Sequence, residues 1–147
     1  MPVAALPHRK LVSAERVPPV RPGVWNLFLV FMELVHFDTL ATCKGFSGVH
    51  RWIRGLKITV PYAPPSVVIE HVKVAVDAAC LWYPKTAMCL QRSAALVSVL
   101  RKHGVAAELV IGIQQFPFRS HAWAECDGVV LNDNQKVTTL YRVIDRC

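Results

Sequence analysis

The sequence predicts an α+β fold: a helical N-terminal half packed on a small antiparallel sheet, with a cysteine at the N-terminus of the helix between them. Three observations carry this. Between Trp25 and Ala79 apolar residues recur at helical spacing and are interrupted by prolines, whereas "VAAELVIGI" (105–113) alternates and is β-branched. Further on, "HAWAECDGVVLND" (121–133) has the form of two strands folded on an Asp-Gly turn. A chain of 147 residues, 53% hydrophobic and 18% charged, suits one domain with a real core. Folding at this size buries about two thirds of the unfolded surface, so no disulfide or metal staple is required.

Taken in order, residues 1–22 carry Pro2, Pro7, Pro18, Pro19 and Pro22 and read as an extended arm. A helical subdomain follows over 23–80 and a second, mixed unit over 81–147. Within the first, 25–42 fits a helix apolar around most of its surface and therefore enclosed by other elements. A second helix covers Ser47 to Leu56. After Pro61, Pro64 and Pro65, Ser66 can cap a third, whose Val68, Val72, Ala75, Val76 and Ala79 share one face. A fourth runs from Ala87 to a stop at Gly104, with Arg101, Lys102 and His103 in its last turn. The strand at 105–113, the hairpin and a last strand from Thr139 to Ile144 complete a small sheet.

The charge and the cysteines narrow the function classes. Residues 1–60 hold eight Lys/Arg against three Asp/Glu (net +5) and residues 61–147 nine against seven (net +2), together the +7 of the chain. That asymmetry suits solubility or a surface that meets an acidic partner. The basic residues come singly, without run or motif, so no nucleic acid partner is expected. Five cysteines, an odd number without a CxxC pair, point to a reducing, cytoplasmic setting. The run "WNLFLVFMELVHF" (25–37) is broken by Glu33, His36 and Asp38 short of the ~20 residues a span needs, so it reads as a buried helix. Cys43, Cys80 and Cys126 read as small buried hydrophobes, and His36 and His71 as core or boundary residues.

The chemistry centres on Cys89. It falls in the first turn of the fourth helix, where unpaired N–H groups and the positive dipole end favour thiolate over thiol. Cys89, Ser93, Leu96 and Leu100 form one stripe, which puts the thiol at the open end of a buried face. A thiolate nucleophile needs an imidazole and a group to orient it, and His121 and Asp133 can supply both. With a two-residue Asp127-Gly128 loop, His121 pairs with Asn134 and Asp133 turns to the other face. With a three-residue loop, Cys126 to Gly128, Glu125 pairs with Val129 and His121 falls opposite Asp133. A Cys-His-Asp site therefore predicts the longer loop, with Gly128 a bulge residue at positive φ. Trp82, Arg92 and Trp123 are candidates for substrate binding, Trp82 as a second oxyanion donor. Arg92 reads more readily as a fixed salt bridge, and Trp123 as packing that shapes the cleft. Zinc ligation by Cys80, Cys89, His121 and Cys126 would need unfamiliar spacings, and no metal or cofactor is expected.

The segments "CLQRSAALVSVLRKHGVAAELVIGI" and "PFRSHAWAECDGVVLND" resemble the leader peptidase component of lasso peptide biosynthesis, a branch of the transglutaminase-like cysteine protease superfamily. Cys89-Leu90 with Arg92-Ser93, His103-Gly104-Val105, the strand Glu108 to Gly112, Pro117-Phe118, His121-Ala122-Trp123, Asp127-Gly128 and Asn132-Asp133 carry it in order. The resemblance implies a papain-like cysteine peptidase with Cys89 as nucleophile, His121 as base and Asp133 as orienting acid. It further implies a precursor peptide cut at the leader-core junction, a separate leader-recognition protein, a lasso cyclase as the next enzyme, and association with a membrane transporter through these partners. Ala94 stands where the family often has Leu, and the strands of a fused winged-helix recognition domain are not evident, which resembles the stand-alone form. Two other classes share these residues: a transglutaminase-like amidase or acyl transferase, and a degenerate, non-catalytic peptide-binding module.

Overall fold

The computed structural model describes residues 24–60 and 65–147. The proline-rich arm at 1–22 lies outside them, as do Pro61 and Pro64.

Helix α1 (Val24–Gly55) contains a break at Gly45, whose φ of 62° and ψ of −164° leave helical space. Glycine takes this conformation without a Cβ penalty. The two helices expected at 25–42 and 47–56 are thus two arms of one element. Val30, Leu34 and Phe37 before the break, and Val49 and Ile53 after it, are fully buried. Phe28, Leu29 and Met32 are exposed, so α1 is buried on one side and not enclosed as its apolarity suggested. By length and composition alone Asn26–Gly55 could cross a membrane. In the fold, Glu33 of that stretch accepts from Ser98 Oγ (2.9 Å) and pairs with Lys102, which ties it to a neighbouring helix.

Helix α2 (Pro65–Trp82) starts one residue ahead of the expected Ser66 cap. Proline suits the first turn, where its missing N–H has no helical partner to lose. Its buried residues are Val68, Val72, Ala75, Val76 and Ala79, the predicted face.

The enclosed helix is α3 (Cys89–Lys102), in which every residue from Ser93 to Arg101 is buried. Ser93, Ala94, Ala95 and Ser98 are small enough for other elements to approach from several sides, and α1, α2, β1 and β2 all contact it. Arg101 closes its end, donating from Nε to Ala107 O (2.8 Å) and from Nη1 to Ile53 O (2.7 Å).

Strands β1 (Glu108–Gln114), β2 (Arg119–Cys126), β3 (Val129–Val130) and β4 (Arg142–Arg146) form an antiparallel sheet in the order β3-β2-β1-β4. Leu109, Ile111, Ala122 and Ala124 join the core shared with the helices. Val110 and Trp123 form a second cluster with Val130, Val137, Tyr141 and Val143. The last strand begins later than expected, because Val137–Leu140 forms a helical turn, α4. Its cause is local: the hydroxyls of Thr138 and Thr139 donate back to Gln135 O (2.9 Å) and Lys136 O (2.8 Å). Such short-range bonds compete with a strand ladder.

Candidate active site

Cys89 is the first residue of α3, after an extended Met88 (φ −70°, ψ 160°). The N–H of Arg92 makes the first intrahelical bond, to Met88 O (3.1 Å), so those of Cys89, Leu90 and Gln91 precede the helical ladder. Asp38 of α1 fixes the chain on both sides of the thiol. It accepts from Lys85 Nζ (2.6 Å) and Tyr83 OH (2.9 Å) before Cys89 and from Gln91 Nε2 (3.4 Å) after it. The Lys85 hydrogen bond, assisted by Tyr83 and Gln91 and opposed by burial, holds the Asp38 carboxyl below its usual range.

His121 lies on β2 opposite Gly112 of β1. Its imidazole is nearly parallel to the Trp123 indole (centroids 6.0 Å, 25°) and lies 5.2 Å from the Tyr141 ring. Trp123 is fully buried, and its Nε1 donates to Glu125 Oε1 (2.7 Å), whose other oxygen accepts from Arg146 Nη1 (2.6 Å). The face beneath the imidazole is therefore rigid.

His121 Nε2 and Asp133 Oδ2 are 2.6 Å apart, but not through the expected register. Cys126 pairs with Val129 and Glu125 with Val130, which is the two-residue loop. Asp127 (φ 50°) and Gly128 (φ 76°) both have positive φ, as a type I′ turn requires. Gly128 has the predicted sign of φ without being a bulge. Asp133 reaches His121 because the chain leaves the ladder after Val130. Leu131 N–H still donates to Ala124 O (2.9 Å), but the return bond from Ala124 N–H goes to Asn132 Oδ1 (2.8 Å) instead of a strand carbonyl. Freed from strand alternation, Asp133 turns its carboxylate to the imidazole, and Asn134 N–H (2.6 Å) holds the other oxygen.

Cys89 and His121 border one cleft of about 440 Å³, whose other walls include Phe46, Leu90, Ile111, Ile113, Phe118 and Ile144. Phe46 arrives through the break at Gly45, and Phe118 from the β1–β2 loop. With Asp133 engaged at Nε2, Nδ1 is the imidazole nitrogen left for proton transfer. The arrangement offers a thiol at a helix start and an oriented imidazole in one largely apolar groove.

The remaining candidates fall elsewhere. Trp82 ends α2 with 80% of its surface exposed and does not line this cleft. Arg92 Nη2 binds Asp77 (2.5 Å), as its salt-bridge reading had it, and borders a different hollow that Asp133 shares. Trp123 is covered completely, so it supports His121 and cannot touch substrate. Cys43 is exposed, against expectation, because the outer side of α1 is bare; Cys80, Cys126 and Cys147 are partly buried. Desolvation pushes these three thiols up, away from thiolate. Among the described residues no group of three His, Cys, Asp or Glu side chains could hold a metal ion. Asp38, Phe46, Asn132 and Tyr141 escaped the sequence reading. Asn132 had a visible signal as the polar residue beside Asp133, and Asp38 as a charge that breaks an apolar run.

A model of the transglutaminase-like superfamily matches residues 35–146, a range that includes Cys89, His121 and Asp133. The chain belongs to the transglutaminase-like superfamily. A 45-residue stretch is also 47% identical to the microcin J25-processing protein McjB of Escherichia coli and covers 31% of this chain and 22% of that protein. The aligned stretch therefore spans less than a quarter of the relative it matches. No solved structure matches the chain. Helices packed on an open antiparallel sheet are the fold such a transglutaminase-like chain should have.

Proposed function

We propose that the protein is a cysteine peptidase that removes the leader from a ribosomally made lasso precursor peptide before macrolactam cyclisation. The observation that carries this is the 2.6 Å contact of His121 Nε2 with Asp133 Oδ2 on an imidazole that borders the same cleft as Cys89. Superfamily membership and the short likeness to a microcin J25-processing protein support the peptide substrate. The protein acts with a separate leader-recognition protein and hands its product to the lasso cyclase. It works in the cytoplasm, as five free thiols suggest, and meets a membrane transporter through those partners.

In this mechanism Cys89 gives its proton to His121 Nδ1, and the thiolate forms a C–S bond to the scissile carbonyl. The imidazolium, oriented by Asp133, returns the proton to the leaving nitrogen as the C–N bond breaks. Water then loses a proton to His121 and attacks the thioester; the C–S bond breaks and the thiol is restored. In this reading the Cys89 N–H, at the helix start, donates to the oxyanion. The test mixes the protein with a precursor and its recognition protein and follows leader release by mass. Cys89→Ala should abolish release, and release by that variant refutes the mechanism. If an added amine is incorporated in place of water, the protein is an acyl transferase. If Cys89 is alkylated no faster than the exposed Cys43, it is a non-catalytic binding module.

A further inference from the structure

We infer that Asn132 is a positioning residue: its carboxamide takes the place of a strand carbonyl, swings Asp133 out of the hairpin onto His121, and fastens that loop to the helix that carries Cys89. This deepens the peptidase reading and rests on it, since it assigns a residue that sets the geometry of the same site.

The two ends of the Asn132 side chain do different things. Oδ1 accepts the Ala124 N–H at 2.8 Å. In a continuing antiparallel ladder that N–H would go to the carbonyl of Leu131, the residue whose own N–H donates to Ala124 O at 2.9 Å. A buried N–H left without an acceptor costs about 1–3 kcal/mol, so a chain that leaves the sheet here needs a replacement, and Asn132 supplies it. Departure matters because a continued ladder would put Asn134 opposite His121 and turn Asp133 to the other face. The loop that results brings Asp133 to Nε2 at 2.6 Å.

The amide end faces α3. Nδ2 donates to Ser93 Oγ at 2.9 Å, and Ser93 Oγ donates to Ala122 O at 3.1 Å. Ser93 is fully buried and stands one turn after Cys89 on the same helix. Nucleophile helix, histidine strand and acid loop are therefore joined by one chain of hydrogen bonds through two polar side chains. The position requires an acceptor and a donor in fixed relation, which a planar carboxamide provides. Aspartate keeps the acceptor, and Ser93 can then donate to its second oxygen only by releasing Ala122 O. Alanine keeps neither.

The experiment compares wild type, Asn132→Ala, Asn132→Asp and Asp133→Asn in two readouts. The first is the downfield proton NMR signal of a hydrogen-bonded imidazole N–H at His121. The second is the rate at which iodoacetamide alkylates Cys89 at neutral pH, with the exposed Cys43 as internal reference. Wild type should show the signal and a fast Cys89. Asn132→Ala should lose the signal and slow Cys89 about tenfold while Cys43 is unchanged, and Asn132→Asp should restore most of both. If the signal disappears in Asp133→Asn but survives in folded Asn132→Ala, or if Asn132→Asp restores nothing, the inference is overturned while the Cys89–His121–Asp133 reading stands. If Asp133→Asn leaves both readouts untouched, the underlying reading fails. Should Asn132→Ala not fold, Ser93→Ala removes only the tie to α3. It should slow Cys89 about threefold, and wild-type behaviour there overturns the tie.

Discussion

Replacing Gly112 by alanine should damage stability and chemistry together. Gly112 stands across from His121, and a Cβ there would lie 2.8 Å from Trp123 Cη2, 2.9 Å from Trp123 Cζ3 and 2.8 Å from Tyr141 Cβ. Ordinary carbon contacts are about 3.5–4 Å, so each is short by more than half an ångström. Neither neighbour can give way cheaply: the indole is fully buried and tied to Glu125, and a Cβ moves only with its backbone. Gly112 is not among the residues with positive φ, so the penalty is steric rather than conformational. Overpacking of this kind costs about 1–3 kcal/mol. At roughly 3 °C per kcal/mol for a chain of this size, Tm should fall by about 3–9 °C. The rings that must move are the two that flank the His121 imidazole, so turnover should drop as well. A urea melt gives the stability change and alkylation of Cys89 the chemical one. Trp123→Phe removes the ring atoms that clash, so in the double variant the two penalties should fall short of their sum by at least about 0.5 kcal/mol. A Gly112→Ala protein that melts within a degree of wild type, or penalties that simply add, would refute this account of the glycine.

Asp38→Asn should lower Tm at pH 7, by an amount that shrinks as the pH falls. Because the folded-state pKa of Asp38 is depressed, chiefly by Lys85, its contribution is present above the unfolded value of about 3.9 and is lost as pH drops through the folded value. Melting both proteins at pH 7 and pH 3 checks the sign, and a gap that stays constant or widens in acid contradicts it. Phe118→Asp puts a charge on a cleft wall whose side chain is 74% exposed, so stability should be unchanged while kcat/KM for the precursor falls at least about tenfold. Equal cleavage by both proteins would exclude Phe118 from the substrate path.

How far the sequence could be read depended on whether the determining force was local. The α2 face was legible residue by residue, because a 3.6-residue period reports burial on one side directly. The Asp127-Gly128 turn was legible too, as both residues take the positive φ that short hairpins demand. The sequence points to α1 and not α3 as the enclosed helix, since periodicity measures apolarity and not the number of neighbours. Small Ala and Ser side chains admit neighbours that a large apolar face cannot predict. The loop length is not legible for a related reason. Requiring Asp133 to meet His121 from within the ladder forced a bulge, whereas the structure ends the ladder early with a side chain. Spacing rules describe backbone pairing, and nothing in them foretells a carboxamide that substitutes for it. Trp82 lies close to Cys89 in sequence but not in space, because it ends α2 away from the cleft.

The site is consequently assembled from pieces whose positions are set by polar contacts in an apolar surround. Glu33, Asp38 and Ser93 are polar residues within helices, and each binds across to another element: Glu33 to Ser98 and Lys102, Asp38 to Tyr83, Lys85 and Gln91, Ser93 to Ala122 and Asn132. Apolar packing alone would let α3 slide or turn against α1 and β2 at little cost, because Ala and Val faces fit in several registers. Directional bonds remove that freedom, since a shift of one residue would strand buried donors and acceptors. Of the two acidic residues that interrupt the apolar run of α1, and so argue against a membrane span, Asp38 holds the helix start bearing Cys89 and Glu33 holds the far end of the same helix. In this chain the breaks in hydrophobic pattern mark where the fold is pinned to the site.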